Sequence, residues 1–179
     1  MTDGSGTPPS ATLRAIVADA VDGDLGDDAV RVVGRATDGD GDAAPADLLV
    51  ETVGGARSLV AVVPRIDAGI AGRLDAALER DGAESVDARI VVTGRAADRL
   101  RGATGSVARA ALAARGVETH RHDGGSPVAV VLADDRAAVG LVDDGGVAAL
   151  LASDAPAVRE WAAATCRRYL AAADPVSEP

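Results

Sequence analysis

"PVAVVLADDRAAVGLVDD", residues 127–144, sets two apolar runs on either side of the acidic pair Asp134-Asp135. Each run is too short for a helix and is dense in Val, so the stretch reads as a hairpin with strands at 128–134 and 136–142. A second acidic pair, Asp143-Asp144, leads into "GVAALLA" (146–152), a third short strand. Three strands in a row cannot be a bundle. They need a sheet to join.

That sheet is legible upstream. "SLVAVVP" (58–64) and "ARIVVTG" (88–94) are unbroken apolar runs of strand length, as in strands buried on both faces. Between them Asp67 caps a helix in which Ile70, Leu74, Ala77 and Leu78 recur at helical spacing to Arg80, with Gly82 as the stop. Helical stretches follow at 95–101 and 105–115, the latter ended by Gly116. "VETHRH" (117–122) alternates and reads as an edge strand.

The ends are less regular. Residues 1–9 form a disordered lead. Ser10 caps a helix over 10–22 with Leu13, Ile16, Val17 and Val21 on one face. A short strand at 29–35 precedes the Gly- and Asp-rich linker 36–46, and a helix at 47–56 stops at Gly54 and Gly55. The last helix, 154–173, is capped by Ser153 or Asp154 and carries Pro156 in its first turn. Val158, Trp161, Ala162, Thr165, Tyr169 and Leu170 form its buried stripe, and "DPVSEP" frays. The division is a lead (1–9), an N-terminal helix, strand and linker (10–46), one domain (47–176) and a tail (177–179). Strand–helix alternation followed by a hairpin predicts an α/β sandwich, a mixed sheet flanked by helices.

Composition narrows the chemistry. The chain is 47% apolar but has one Trp, one Tyr and no Phe, so its core is built from Val, Leu, Ile and Ala. The formal charge is −10, all 18 basic residues are Arg, and 22 of the 28 acids are Asp. Such a surface repels nucleic-acid phosphates, so direct nucleic-acid contact is not expected. In molar salt the Debye length falls to about 3 Å and that argument weakens. Asp-rich, Lys-free composition resembles cytoplasmic proteins of salt-loving archaea; a GC-rich genome biases codons the same way. The single Cys166 cannot form an internal disulfide, which fits a reducing cytoplasm. No run approaches a membrane span, so no membrane role is expected.

The absence of Lys excludes a Walker A lysine, a Schiff base and a lysine general base. On a strand, Glu118, His120 and His122 of "ETHRHD" share one face and could ligate a metal, though neighbours two apart sit about 7 Å from each other. The simpler reading is a solvated edge, and neither a metal nor a cofactor is expected. Asp134 and Asp143 in their turns read first as backbone caps. Arg65 follows the first core strand, and Thr93-Gly94-Arg95 closes the second just before a helix. Ligands gather at the carboxyl ends of parallel strands, so these arginines either hold a phosphate, carboxylate or sugar acid or merely balance Asp.

From "GVETHRHDGGSPVAVVLADDRAAVGL" onward the chain resembles the phospholipase D superfamily, whose members carry His-x-Lys, four residues, then Asp on such a hairpin. With Asp134 as the aspartate, Pro127 stands in the histidine position and Ala129 in the lysine position, and Gly140 stands near the family's Gly. The stretch 139–176 is similar to the end of effector domains in archaeal regulators of the TrmB type and of the methanogenesis-regulator middle-domain type. The resemblance implies a phospholipase D-like half-barrel or sandwich with a C-terminal hairpin and final helix over roughly 47–176. It implies a non-enzymatic, cytoplasmic domain that senses a small-molecule effector and acts in transcription regulation.

Such regulators carry a winged helix, and only about 45 residues precede the domain here, with no recognition helix. A winged-helix partner is therefore expected, and a homodimer by resemblance. The residues expected to meet the effector are Arg65, Thr93, Arg95, Arg121, Asp134 and Asp143, with Trp161 and Tyr169 anchoring the last helix to the sheet or a second subunit. Two other readings stand beside this one: a metal- or carboxylate-dependent hydrolase using Glu118, His120, His122 or Asp134, and a regulator that binds DNA itself.

Overall fold

The computed structural model describes residues 7–35, 43–66, 68–80 and 86–176. The expected cap at Asp67, the stop at Gly82 and most of the linker lie outside them, as do the side chains of Ala77 and Leu78. The elements run α1 (Pro9–Ala20), a short 3-10 turn (Asp27–Ala29), β1 (Val30–Gly34), α2 (Ala43–Val53), β2 (Ser58–Val63), α3 (Ala68–Arg80) and β3 (Asp87–Val92). They continue with α4 (Gly94–Arg99), α5 (Gly102–Ala114), β4 (Val117–Arg121), β5 (Val128–Ala133), β6 (Arg136–Asp143), β7 (Gly146–Ser153), α6 (Pro156–Ala171) and β8 (Asp174–Pro175). This is the mixed α/β architecture the sequence predicts.

Among the described residues the strands form one sheet in the order β1-β7-β6-β5-β2-β3-β4-β8. β2, β3 and β4 run parallel, with α3 linking the first two and α4 and α5 the second two, because a parallel neighbour needs a crossover. β5 lies antiparallel to β2, pairing Leu59 with Ala133 and Val62 with Val130. β5, β6, β7 and β1 then continue as an antiparallel run. The quoted hairpin is thus the middle of the sheet.

Side chains alternate across the strands and feed two faces. On one, Val62, Val91, Val130, Val139 and Leu151 pack with Leu13 and Val17 of α1 and with Val158, Ala162 and Cys166 of α6. On the other, Ala138 and Leu150 meet Leu48, Leu49 and Val53 of α2 and Ile70 of α3, while Val92 meets Ala96, Ala97 and Leu100. α1 and β1 precede the expected start of the domain, yet Leu13 and Val17 are fully buried in its core.

Four local expectations change. Ser10 does not cap α1: the helix starts at Pro9, Pro8 is its N-cap residue, and no side chain caps it. α2 starts at Ala43 instead of 47, since Pro45 falls in its first turn, where a missing N–H costs no hydrogen bond. "DPVSEP" does not fray throughout: Asp174–Pro175 pair with β4, and the Val176 amide donates to the Thr119 carbonyl at 2.9 Å. At α6, neither Ser153 nor Asp154 is the N-cap residue; Ala155 is, and the Ser153 hydroxyl oxygen accepts its amide at 3.1 Å.

Leu151 is fully buried at the centre of the first face. Leu151→Ala removes volume that Ala and Val neighbours cannot refill, and is expected to cost about 2–5 kcal/mol in denaturant unfolding.

Candidate functional site

One end of the sheet collects unusual chemistry. β2 and β3 are parallel, so their carboxyl ends open together, and the residues that follow them are Pro64-Arg65 and Thr93-Gly94-Arg95. β5 runs the other way and therefore begins at that same end, with Ser126 and Pro127. The β6–β7 turn, Asp143 to Gly146, closes there too, as does Arg35 after β1. Pro64, Arg65, Arg95, Ser126, Pro127, Val142, Asp143 and Asp144 line a cleft of about 300 Å³.

The arginines of the cleft are held by the turn. Arg65 Nη1 donates to the Asp143 carbonyl oxygen at 2.7 Å and stands 4.0 Å from Asp144 Oδ1. Arg95 Nη1 donates to the same Asp144 oxygen at 2.7 Å. Arg35 Nη2 donates to Asp143 Oδ1 at 2.6 Å, and that oxygen also accepts the Gly145 amide at 2.8 Å. The Arg35 hydrogen bond holds the Asp143 carboxyl below its ordinary value of 3.8, against a partial cost of burial. A side chain at Gly145 would strike the Arg35 guanidinium, so the turn lies flat against it.

Of the residues singled out from sequence, the structure brings together Arg65, Arg95 and Asp143. It adds Arg35 and Asp144. Arg35 gives no local signal, since its carboxylate partner is 108 residues away. Asp144 is one of the acidic pair that the turn pattern shows.

Thr93 is fully buried beneath the cleft rather than lining it, and its hydroxyl has no hydrogen-bond partner. Arg121 faces a separate cavity with Arg101, Arg109 and Asp174 on the α4–α5 side, its Nε 3.6 Å from Asp123. β4 pairs Arg121 with Val92, and in a parallel ladder paired side chains share a face.

Asp134 lies at the far end of the sheet, at the other end of β5. Its two carboxylate oxygens accept the amides of Arg57 and Ser58, each at 3.0 Å, and its own amide donates to the Ser58 carbonyl. It has φ of +47°, a conformation that tight hairpin turns demand and that Asp tolerates. Next to it Arg136 donates to the carbonyls of Glu51 and Gly54 at the end of α2. This turn is a staple that joins the hairpin to β2 and α2.

The Glu118, His120 and His122 set is engaged locally. His120 Nε2 and Glu118 Oε1 are 2.7 Å apart, and Arg89 Nε lies 3.4 Å from the other Glu118 oxygen. His122 Nδ1 accepts the Gly124 amide at 2.9 Å, and its ring packs on Tyr169 at 4.9 Å. Among the described residues no three His, Cys, Asp or Glu side chains converge as a metal site. Trp161 and Tyr169 pack α6 onto the sheet, and the Tyr169 hydroxyl donates to the Gly125 carbonyl at 3.2 Å. Burial pushes the Cys166 thiol up to about 11, which suppresses the reactive thiolate. No helix among the described residues is long and apolar enough to cross a membrane.

Comparison with known proteins places this geometry. Residues 43–172 match the middle domain of the methanogenesis regulatory protein FilR1. No curated protein matches the chain. Among solved structures, the archaeal chromatin protein TrmBL2, whose structure is described as showing a novel mode of DNA binding, is similar with a TM-score of 0.56 and 14% identity, over 93% of this chain and 61% of that one. Nuc from Salmonella typhimurium, a phospholipase D family member, gives 0.58 and 18% identity over 82% of this chain and 97% of its own. NucT from Helicobacter pylori gives 0.58 and 11% over 82% and 98%. At these identities the likeness is one of fold, and this chain spans under two thirds of TrmBL2.

The Asp134 staple has a pH signature. Both backbone amides favour the charged carboxylate and lower its pKa below 3.8. Its contribution to stability is therefore fully present above about pH 4 and is lost as pH falls through the depressed folded value. Asp134→Asn is expected to lower the unfolding midpoint at pH 7 and to flatten the fall in stability on acidification. Thermal melts of both proteins across pH 2–7 measure the difference.

Proposed function

The chain belongs to the family of the FilR1 middle domain, a regulatory domain on a phospholipase D-like fold, and we propose that it works as a non-catalytic sensor. The effector is taken in the cleft lined by Arg65 and Arg95. The observation that carries this reading is the identity of Pro127. It lines the cleft at the position where the resemblance to phospholipase D calls for the attacking histidine. Ala129, paired with Gly140, stands where the resemblance calls for the ammonium group.

The chain has two histidines and no lysine. Both histidines sit at β4 or just after it, engaged with Glu118, Gly124 and Tyr169, and neither lines the cleft. On this reading neither histidine serves as the nucleophile that opens a phosphodiester. What stays in the cleft is guanidinium, carboxylate, a proline ring and the Ser126 hydroxyl, which donates to the Val128 carbonyl at 2.6 Å. The volume, about 300 Å³, suits a small metabolite.

The output of such a sensor is a change in what it touches. With a formal charge of −10 the chain is a poor direct reader of DNA at low salt. The reading therefore gives the DNA contact to a winged-helix partner or to another protein of the assembly, with a second copy of this chain as the simplest scaffold. An intracellular site of action follows from that role.

A thermal-shift screen with sugar phosphates and nucleotides in concentrated KCl tests the proposal. A ligand at 100 times its Kd should stabilise the folded form by about 2.7 kcal/mol. Arg65→Ala and Arg95→Ala should each abolish the shift while leaving the unliganded melt nearly unchanged. Turnover of a phosphodiester substrate by the wild-type protein, abolished in the same variants, would overturn the sensor reading. So would a shift that neither variant affects.

A further inference from the structure

The cleft already contains an anion, and it belongs to the protein. Asp144 reaches from the β6–β7 turn to Arg95 at 2.7 Å and to Arg65 at 4.0 Å. These two guanidinium groups come from the ends of adjacent parallel strands. They converge on one carboxylate oxygen, which is the geometry that receives a phosphate or carboxylate ligand.

We infer that Asp144 is a built-in competitor: the effector is a small anion, carrying a phosphate or carboxylate group, that takes the place of the Asp144 carboxylate on Arg65 and Arg95. The inference rests on the cleft being the effector site. It adds the chemical class of the effector and the way occupancy is reported.

Two observations make the exchange workable. The Asp144 and Arg95 side chains are 90% and 72% exposed, so their bond is made in water and is readily given up. Asp143, by contrast, stays anchored: its carboxylate holds Arg35 and the Gly145 amide, and its carbonyl holds Arg65. Displacing Asp144 therefore frees the tip of the turn without unravelling β6. It also leaves Arg65 and Arg95, which both line the cleft, without that carboxylate, so an incoming anion meets two guanidinium groups. The turn's other contact is Arg35, which follows β1 at the edge of the sheet.

The test is a gain of affinity. Wild type, Asp144→Asn and Arg95→Ala are titrated calorimetrically with inorganic phosphate and with gluconate at fixed KCl, and with glucose as the neutral control. The phosphate and gluconate arms distinguish the two head groups. Asp144→Asn, which keeps size and removes charge, should bind at least one anion roughly 2- to 5-fold tighter than wild type, the change expected on freeing a partner of an exposed ion pair. Arg95→Ala should bind neither, and glucose should bind none of the three proteins. Equal or weaker anion binding by Asp144→Asn, with circular dichroism unchanged, would overturn the inference. Failure of both anions on all proteins would overturn it as well. Neither result touches the sensor reading, which is decided by whether a compound of the thermal-shift screen stabilises wild type but not Arg65→Ala.

Discussion

The antiparallel seam between β2 and β5 is the contact on which the rest of this structure depends. β2 belongs to a parallel set, and parallel strands place all their carboxyl ends at one edge of the sheet. β5 reverses direction against it, pairing Val62 with Val130. The start of β5 is thereby forced beside the end of β2. Pro127 meets Arg65 there, and the β6–β7 turn, one hairpin further on, arrives at the same end. If β5 ran parallel to β2, the turn holding Asp143 and Asp144 would fall at the other end and the cleft would have no acid. The seam is pinned from its far end by Asp134, whose carboxylate occupies the two backbone amides that open β2. Cleft and staple are opposite ends of one strand pairing.

A core without Phe has consequences for how helices lie on this sheet. Ala137, Ala138, Ala148 and Ala149 are buried on the central strands β6 and β7. Small side chains there let α1 and α6 approach on one face and α2 on the other. The loss is area: each Ala buries little, and stability depends on many Val and Leu contacts of modest size. Trp161 and Tyr169 compensate at the rim of α6, where they remain partly exposed and Tyr169 also fixes the loop before β5 through Gly125. That loop carries Ser126 and Pro127, so the last helix supports the floor of the cleft from behind.

Much of this was open to reading in the sequence because apolar runs of strand length leave little choice. The stretches 58–64, 88–94, 128–134 and 136–142 all became strands with ends within two residues, and the helix after Ser153 carries Pro156 at its start as expected. Signals that depend on one side chain fared worse. Ser10 has a cap's chemistry, yet Pro8 and Pro9 already set the backbone for helix entry and no cap bond forms. β8 is two residues with a proline, too short for any periodicity, and exists because β4 needs a partner on its open side.

The cleft was legible in part for a similar reason. Arg65 and Arg95 announce themselves by following buried strands. Arg35 does not, because its meaning comes from β1 pairing with β7. Arg121 looks equivalent to Arg95 in one dimension, but strand alternation sends it to another cavity.

The cleft sets its arginines against the acids of one turn, in a strongly acidic chain. Unpaired, Arg35, Arg65 and Arg95 would attract any passing phosphate or carboxylate, including the side chains of neighbouring molecules. Pairing them with Asp143 and Asp144 silences that field, and the two acids do so unequally. Asp143 is half-exposed but held by Arg35 and a backbone amide, which lower its pKa. Asp144 is exposed, and exposed ion pairs are generally worth only about 0–1 kcal/mol. A ligand that brings a better anion has little to overcome at Asp144 and much to overcome at Asp143. The division puts specificity at the position that yields and shape at the position that does not. On the proposed reading, a turn of four residues both screens the site and reports its occupancy.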